Sequence, residues 1–326
     1  MTREAELDIA KRSARDAALL CEEVRRELVA STMTKEDRSP VTVADFGAQA
    51  LICRALAREF PKDPVVGEED AETLRSEEGA AAREIVVKYV ARHVDRVTTD
   101  EALNWIDHGN GAVSPRYWTL DPIDGTKGFL RNDQYAVALA LVEGGVIQVA
   151  VLACPCLPLD PAQPDGARGA LFAAVHGGGA TVEPLAGGPP RPIRVADGGD
   201  AARWRLVESV ESGHGHQSLQ ERIAVAVGVR GGSVRMDSQA KYGAVARGEA
   251  ALYLRLPSPK SPDYRENIWD HAAGVLVVQE AGGRVSDLFG RRLDFARGSK
   301  MVDNRGVVVS NGRIHDRVLE ELAAIF

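Results

Sequence analysis

A chain of 326 residues with 44% hydrophobic and 27% charged residues is long enough to bury a large core, and its composition excludes disorder as the main state. A formal net charge of -7 argues against nucleic-acid polymers as the main partner, because a duplex backbone needs a basic stripe, but allows a small anion held through metal ions and a few local Lys or Arg groups. No apolar run reaches the length of a membrane span, and the opening Thr2 to Leu7 is mixed in charge, without the apolar core of a signal peptide.

Leu7, Ala10, Ala14, Ala17, Ala18, Cys21, Val24 and Leu28 recur at helical spacing, which predicts an amphipathic opening helix over residues 4–29. Ser39-Pro40 breaks the pattern, and a second helix is expected over 46–60 with Asp45 as its N-cap. After the apolar Val65-Val66, a charged, alanine-rich segment from Asp70 to Glu84 reads as a solvated surface loop leading to a helix that ends near Val97. From Trp118 the pattern turns to strands, and Glu143-Gly144-Gly145 between two apolar runs is a hairpin signature. The Gly/Pro-rich stretches 158–169 and 176–192 read as variable connections around the apolar run Leu171 to Val175. Beyond them, short strands at 206–207, 233–235, 251–254 and 307–309 alternate with helices near 218–227, 239–247 and 270–280. An α+β half over 1–195 is thus expected to precede an α/β half over 196–326.

Four cysteines are too few for a secreted disulfide framework, and Cys21 and Cys53 fall on predicted helices as buried thiols. Cys154-Pro155-Cys156 lacks the spacing of a zinc hairpin and reads as structural thiols, with a redox-responsive role as the alternative.

The chemistry concentrates in Trp118-Thr-Leu-Asp121-Pro122-Ile123-Asp124-Gly125-Thr126-Lys127-Gly128-Phe129. Asp121 and Asp124 can converge on hard divalent cations, which prefer oxygen ligands. The Gly125-Thr126 amides, if they open a helix, would face an anion. Asp-Pro and Asp-Gly are also ordinary turn formers, so the motif gains weight from two further acidic elements at the ends of apolar segments, Glu68-Glu69-Asp70 and Trp269-Asp270-His271.

With Ser39 to Asp45, Asp237-Ser-Gln-Ala-Lys-Tyr242, Leu252-Tyr-Leu-Arg-Leu-Pro257 and Ile268 to Gly274 in order along the chain, the set resembles the lithium-sensitive, magnesium-dependent phosphatases that include inositol monophosphatases and fructose-1,6-bisphosphatases. Within them it is most similar to the 3'(2'),5'-bisphosphate nucleotidases, particularly the plant-type branch. The resemblance implies a layered α-β-α-β-α sandwich with the active site between its sheets, and Mg²⁺ as cofactor, two or three ions. Glu68, Asp121, the Ile123 carbonyl, Asp124 and Asp270 would be ligands, with one ion preparing the water and a second stabilising the leaving oxygen. Asp45 and Thr126 are candidates for orienting and deprotonating that water, while Gly125, Thr126, His214, Ser238, Lys241 and Arg255 would contact the substrate. A Lys point charge and an Arg fork suit a second phosphate.

The leading expectation is hydrolysis of the 3'-phosphate of adenosine 3',5'-bisphosphate to AMP, with 3'-phosphoadenosine 5'-phosphosulfate as a second substrate and a link to sulfur assimilation. An inositol polyphosphate 1-phosphatase is the nearest alternative, and a catalytically weak nucleotide or redox sensor is a reading from another class. A monomer or weak homodimer is expected, with a cytoplasmic location, or a chloroplast or mitochondrial one if a transit peptide has been removed.

Overall fold

The structure, a computed structural model, describes residues 3–27, 39–198, 204–210, 217–258, 261 and 263–326. It opens with α1 (Glu4–Glu27), whose buried face carries Ile9, Ala10, Ala14, Ala17, Ala18, Cys21 and Val24, while Glu4 and Glu6 in the first turn and Arg25 and Arg26 in the last complement the helix dipole. Alanine along this stripe lets α2 (Ser39–Glu59) come close: a Cβ on Gly47 would stand 2.8 Å from a Leu20 methyl. The second helix therefore starts earlier than the sequence reading placed it. Pro40 does not break it but sits in its first turn, where no amide is required, and Asp45 is interior to the helix, not its N-cap.

Then follow β1 (Val65–Gly67), α3 (Glu72–Arg75), α4 (Ala80–Val90) and α5 (Thr99–Asp107), the last begun by a capping box between Thr98 and Glu101. The segment read as a surface loop is thus largely helical, and α4 ends at Val90. β2 (Arg116–Asp124) leads through the single turn α6 (Thr126–Leu130) into β3 (Ala136–Glu143), β4 (Val146–Pro158), β5 (Arg168–Val175), β6 (Gly179–Pro184) and β7 (Arg191–Pro192). The predicted hairpin joins β3 to β4, and Gly144 and Gly145 take φ of 58° and 74°, the left-handed pair that its tight turn demands. The stretch 176–192, read as a loop, contributes β6 and β7. Among the described residues these strands form a seven-stranded sheet in order β1-β2-β3-β4-β5-β6-β7, parallel only between β1 and β2.

The chain continues through β8 (Leu206–Glu208), α7 (Gln217–Ala226), β9 (Ser233–Arg235), α8 (Ala240–Ala246), β10 (Leu252–Arg255), α9 (Ala272–Glu280), β11 (Arg284–Ser286), β12 (Val307–Ser310) and α10 (His315–Ala323). Among the described residues these strands form a five-stranded sheet, β11-β12-β10-β8-β9. Among the described residues three cores hold five layers together, the middle one covering both faces of its helical layer. One lies between α1, α2 and the large sheet; the second joins the opposite face of that sheet to α8, α9 and the small sheet; the third is closed by α7 and α10. This is the α-β-α-β-α sandwich expected. Along β3, Val137, Leu139 and Leu141 face the first core while Ala136, Ala138 and Ala140 face the second, so small side chains mark where α9 packs closely. Cys154 lies in the second core and Cys156 in the first, and both are buried free thiols. Among the described residues no helix is long and apolar enough to cross a membrane.

A buried histidine ties α10 to the small sheet. The Ser286 hydroxyl donates to the Asp287 carbonyl, so it accepts from His315 Nε2 at 2.9 Å, and the Ser310 hydroxyl, also 2.9 Å away, is left to donate to Nδ1. Burial, assisted by Arg284 and opposed by Asp316, lowers the His315 pKa from 6.5 to about 4. The unfolded chain binds that proton first, so the neutral imidazole contributes stability above pH 6.5 that is lost as pH falls towards 4. Thermal unfolding of the parent and of His315→Gln should therefore converge in Tm as pH drops through this window; a constant difference would show that His315 does not titrate there.

Candidate active site

Parallel pairing of β1 with β2 sets Gly67 opposite Leu120, which brings Glu68, the next residue, level with Asp121. In a regular strand Asp121 and Asp124 would point to opposite faces. The ladder with β3 instead advances three residues on β2, from Asp121 to Asp124, against two on β3, from Ala138 to Ala136. This bulge at Pro122-Ile123 restores both carboxylates to one side, and it is also where a strand tolerates proline.

Asp270, just ahead of α9, approaches from the other half of the molecule, and Asp45 from the buried face of α2. The mutual effect of these groups is large. Burial first, then Glu68, Asp124, Asp270 and Asp45, hold the Asp121 carboxyl well above the usual carboxylate range. Burial followed by Glu69 and Asp270 pushes Glu68 up to about 7. Asp45 is raised by burial and then by Glu69 and Glu68, and Asp270 reaches about 6 through burial, opposed by His271 and supported by Asp124 and Glu266. Asp121 Oδ1 is buried without a hydrogen-bond partner. A buried acceptor of this kind, among like charges, fits a divalent cation with oxygen ligands.

A cavity of about 450 Å³ opens beside this cluster, lined by Glu68, Asp124, Gly125, Thr126, Ser238, Lys241, Arg255 and Asp270 among others. Gly125 takes φ of 91°, and a Cβ on it would lie 2.9 Å from the Ser238 Cβ, so the turn into α6 can touch the segment before α8 only as glycine. Thr126 begins α6, a single turn that packs against the helix carrying Asp45. Ser238 itself holds φ of 66°, a strained conformation for serine, and its hydroxyl accepts from the Ala240 amide at 3.1 Å. Asp124 Oδ2 accepts the Gln239 amide at 2.6 Å, which links the two halves of the chain directly.

Two cations, Lys241 and Arg255, line the same cavity. Lys241 is buried; its ammonium donates to the Met236 carbonyl at 3.3 Å and faces the Tyr253 ring. Burial pulls it down to about 8, against Asp124 and with a further push from Arg255. Arg255 Nε donates to Glu266 at 3.0 Å, and His271, in contact with Tyr242 at 2.6 Å, lies 3.5 Å from the other Glu266 oxygen. Although burial works against it, Glu266 is held down to about 2 by His271 and Arg255.

Of the residues picked from sequence, Glu68, Asp124, Gly125, Thr126, Ser238, Lys241, Arg255 and Asp270 thus line one cavity, with Asp121 and Asp45 in the electrostatic cluster and Ile123 in the bulge. His214 lies outside the described residues. Sequence reasoning missed Glu266, Gln239, Tyr242, Tyr264 and Asn267. Glu266 carries a signal in its spacing, an acidic residue one turn before Asp270; the others look like ordinary core or surface residues.

The model of the inositol monophosphatase family matches residues 3–325. The chain belongs to the inositol monophosphatase family. Members of this family generally depend on magnesium, and the orphaned Asp121 oxygen suits that ion. The chain is 41% identical to a 3'(2'),5'-bisphosphate nucleotidase of Emericella nidulans, over 100% of this chain and 99% of the relative. A rice protein of the same name is 42% identical over 97% and 93%. Among solved structures, an inositol monophosphatase from Zymomonas mobilis shares the fold with a TM-score of 0.64 at 19% identity, over 99% of both chains. CysQ from Bacteroides thetaiotaomicron does so at 0.62 and 20%, over 95% of this chain and 98% of the other.

Repulsion within this carboxylate cluster can be read as stability. Asp121→Asn should raise the Tm of the metal-free protein by about 2–4 °C, the shift that roughly 1 kcal/mol produces in a large domain, and should abolish the further rise on adding Mg²⁺. A lower metal-free Tm would show that the carboxylate is not held against its neighbours.

Proposed function

We infer that this chain is a 3'(2'),5'-bisphosphate nucleotidase that removes the 3'-phosphate of adenosine 3',5'-bisphosphate, releasing AMP and phosphate, with 3'-phosphoadenosine 5'-phosphosulfate as a second substrate. The observation that carries this reading is one cavity lined both by carboxylates and by two cations, Lys241 and Arg255. A substrate with two anionic groups fits both, one drawn to the carboxylates through cations and the other to Lys241 and Arg255. The full-length relatives of that name support it.

Glu68, Asp121, the Ile123 carbonyl, Asp124 and Asp270 would hold two or three magnesium ions. Magnesium there would supply Lewis acidity, making water easier to deprotonate and offsetting charge that develops on the leaving oxygen. Asp45, kept basic by burial beside Glu69 and Glu68, would accept the proton of the attacking water, with the Thr126 hydroxyl orienting it. Gly125 would leave room for the phosphoryl group. Ser238, Lys241 and Arg255 would fix the remaining phosphate and the nucleoside, with Glu266 holding the Arg255 fork in place.

Phosphate release should be measured from adenosine 3',5'-bisphosphate, AMP and inositol 1,4-bisphosphate with magnesium, with and without millimolar lithium. Fast, lithium-sensitive cleavage of the first with AMP left intact is expected; preference for the inositol ester would move the activity to a polyphosphate 1-phosphatase, and silence on all three would leave a binding protein. In the same assay Asp45→Asn should lower kcat by about 10²–10⁴-fold, the range of general-base contributions, while Mg²⁺ still raises Tm. Unchanged kcat would remove Asp45 from the reaction.

A further inference from the structure

Gln49 is fully buried and lies one helical turn beyond Asp45 on α2, so both side chains leave the same face of the helix. Its amide is used three times. Nε2 donates to the carbonyls of Glu69 and Ile106, the latter at 2.9 Å, and Oε1 accepts the Glu69 amide at 3.2 Å. Both backbone groups of the residue next to Glu68 are thereby engaged by one side chain, and the third bond ties them to the end of α5.

Two glycines reserve the space. A Cβ on Gly67 would stand 2.6 Å from Gln49 Oε1, and one on Gly109 would stand 2.3 Å from Nε2. Gly67 also donates its amide to the Gly109 carbonyl at 2.7 Å, so the glycines hold each other as well as the amide between them. The loop needs such a hold. Glu68, Glu69 and Asp45 repel one another, and a free loop would relieve that repulsion by moving outward. A primary amide is suited to oppose this, because it offers donors and an acceptor together and adds no charge. Glutamate in its place could accept but not donate, and would add to the repulsion.

We propose that Gln49 is a positioning residue for the cation end of the site: it fixes the Glu68 loop relative to the helix that carries Asp45 and so sets the affinity for the divalent ion. The proposal rests on the reading of these carboxylates as cation ligands. Residues that orient metal ligands typically change metal affinity about 10–100-fold when lost.

The test is Mn²⁺ binding to the full chain by isothermal titration calorimetry, for the parent, for Gln49→Met, which keeps the length of the side chain without its amide, and for Gly109→Ala, which presses on the amide from the far side. Both variants should bind Mn²⁺ about 10–100-fold more weakly, while KM for substrate at saturating Mg²⁺ stays near the parent value. That split separates positioning of the cation ligands from general loss of structure, which would move both constants. Parent-like Mn²⁺ affinity in folded Gln49→Met overturns the proposal; if that variant fails to fold, parent-like affinity in Gly109→Ala does so. A parent that binds no Mn²⁺ would instead overturn the reading of the carboxylates, and the proposal with it.

Discussion

Asp45, Glu68, Asp121, Asp124 and Asp270 crowd together, with Asp45 and Asp121 buried and Asp124 and Asp270 half-buried, and their mutual repulsion is the constraint that the surrounding architecture has to withstand. Each charge comes from an element that cannot yield easily. Asp121 and Asp124 are part of a strand paired on both sides, Glu68 follows directly from a strand parallel to it, Asp45 projects from a buried helix, and Asp270 precedes a helix buried along most of its length. Stability given up at this cluster is the kind that active sites commonly forgo in favour of function, since a cation placed among these groups recovers what their repulsion removes.

The middle layer gives the cavity its second character. α8 and α9 pack between the two sheets, and close approach there depends on small residues: a Cβ on Gly274 would fall 2.3 Å from the Tyr242 ring, and one on Gly243 2.7 Å from Phe172. The same packing delivers Lys241 on α8 and Asp270 before α9 to one cavity. Gln239 joins the layers, accepting the Gly274 amide at 3.1 Å and donating to the Trp269 carbonyl at 2.9 Å while its own amide serves Asp124. A network of this type holds Asp124 in a fixed relation to α8 and α9.

Some of this was legible in the residues. Periodic alanines announced α1, Glu-Gly-Gly announced the β3–β4 hairpin, and the acidic residues at the ends of apolar runs announced the cluster. Other parts were hidden for identifiable reasons. Pro40 looked like a break because proline both ends and begins helices, and only the packing of α2 against α1 decides which. β6 lies in a Gly/Pro-rich stretch whose strand character depends on pairing with β5. Gln49 and Glu266 are single polar residues in helical or irregular segments, and their partners are distant in sequence or sit on elements whose approach no local pattern encodes.

Lys241 and Arg255 as anion contacts were visible only through the family resemblance. By itself the sequence determined the kinds of chemistry available: carboxylates spaced for hard cations and a glycine pair where a hairpin turns. Those follow from side-chain identity and short-range spacing, which any reading of the chain retains. Tertiary structure alone decided that Asp121 and Asp124 share a face, through a bulge set by the register with β3, that Glu68 stands level with Asp121, through parallel pairing, and that Lys241, Arg255 and Asp270 enter the same cavity. Register and layer packing arise from contacts between segments far apart in the chain, and their free energy is a property of the assembled core rather than of any stretch of residues.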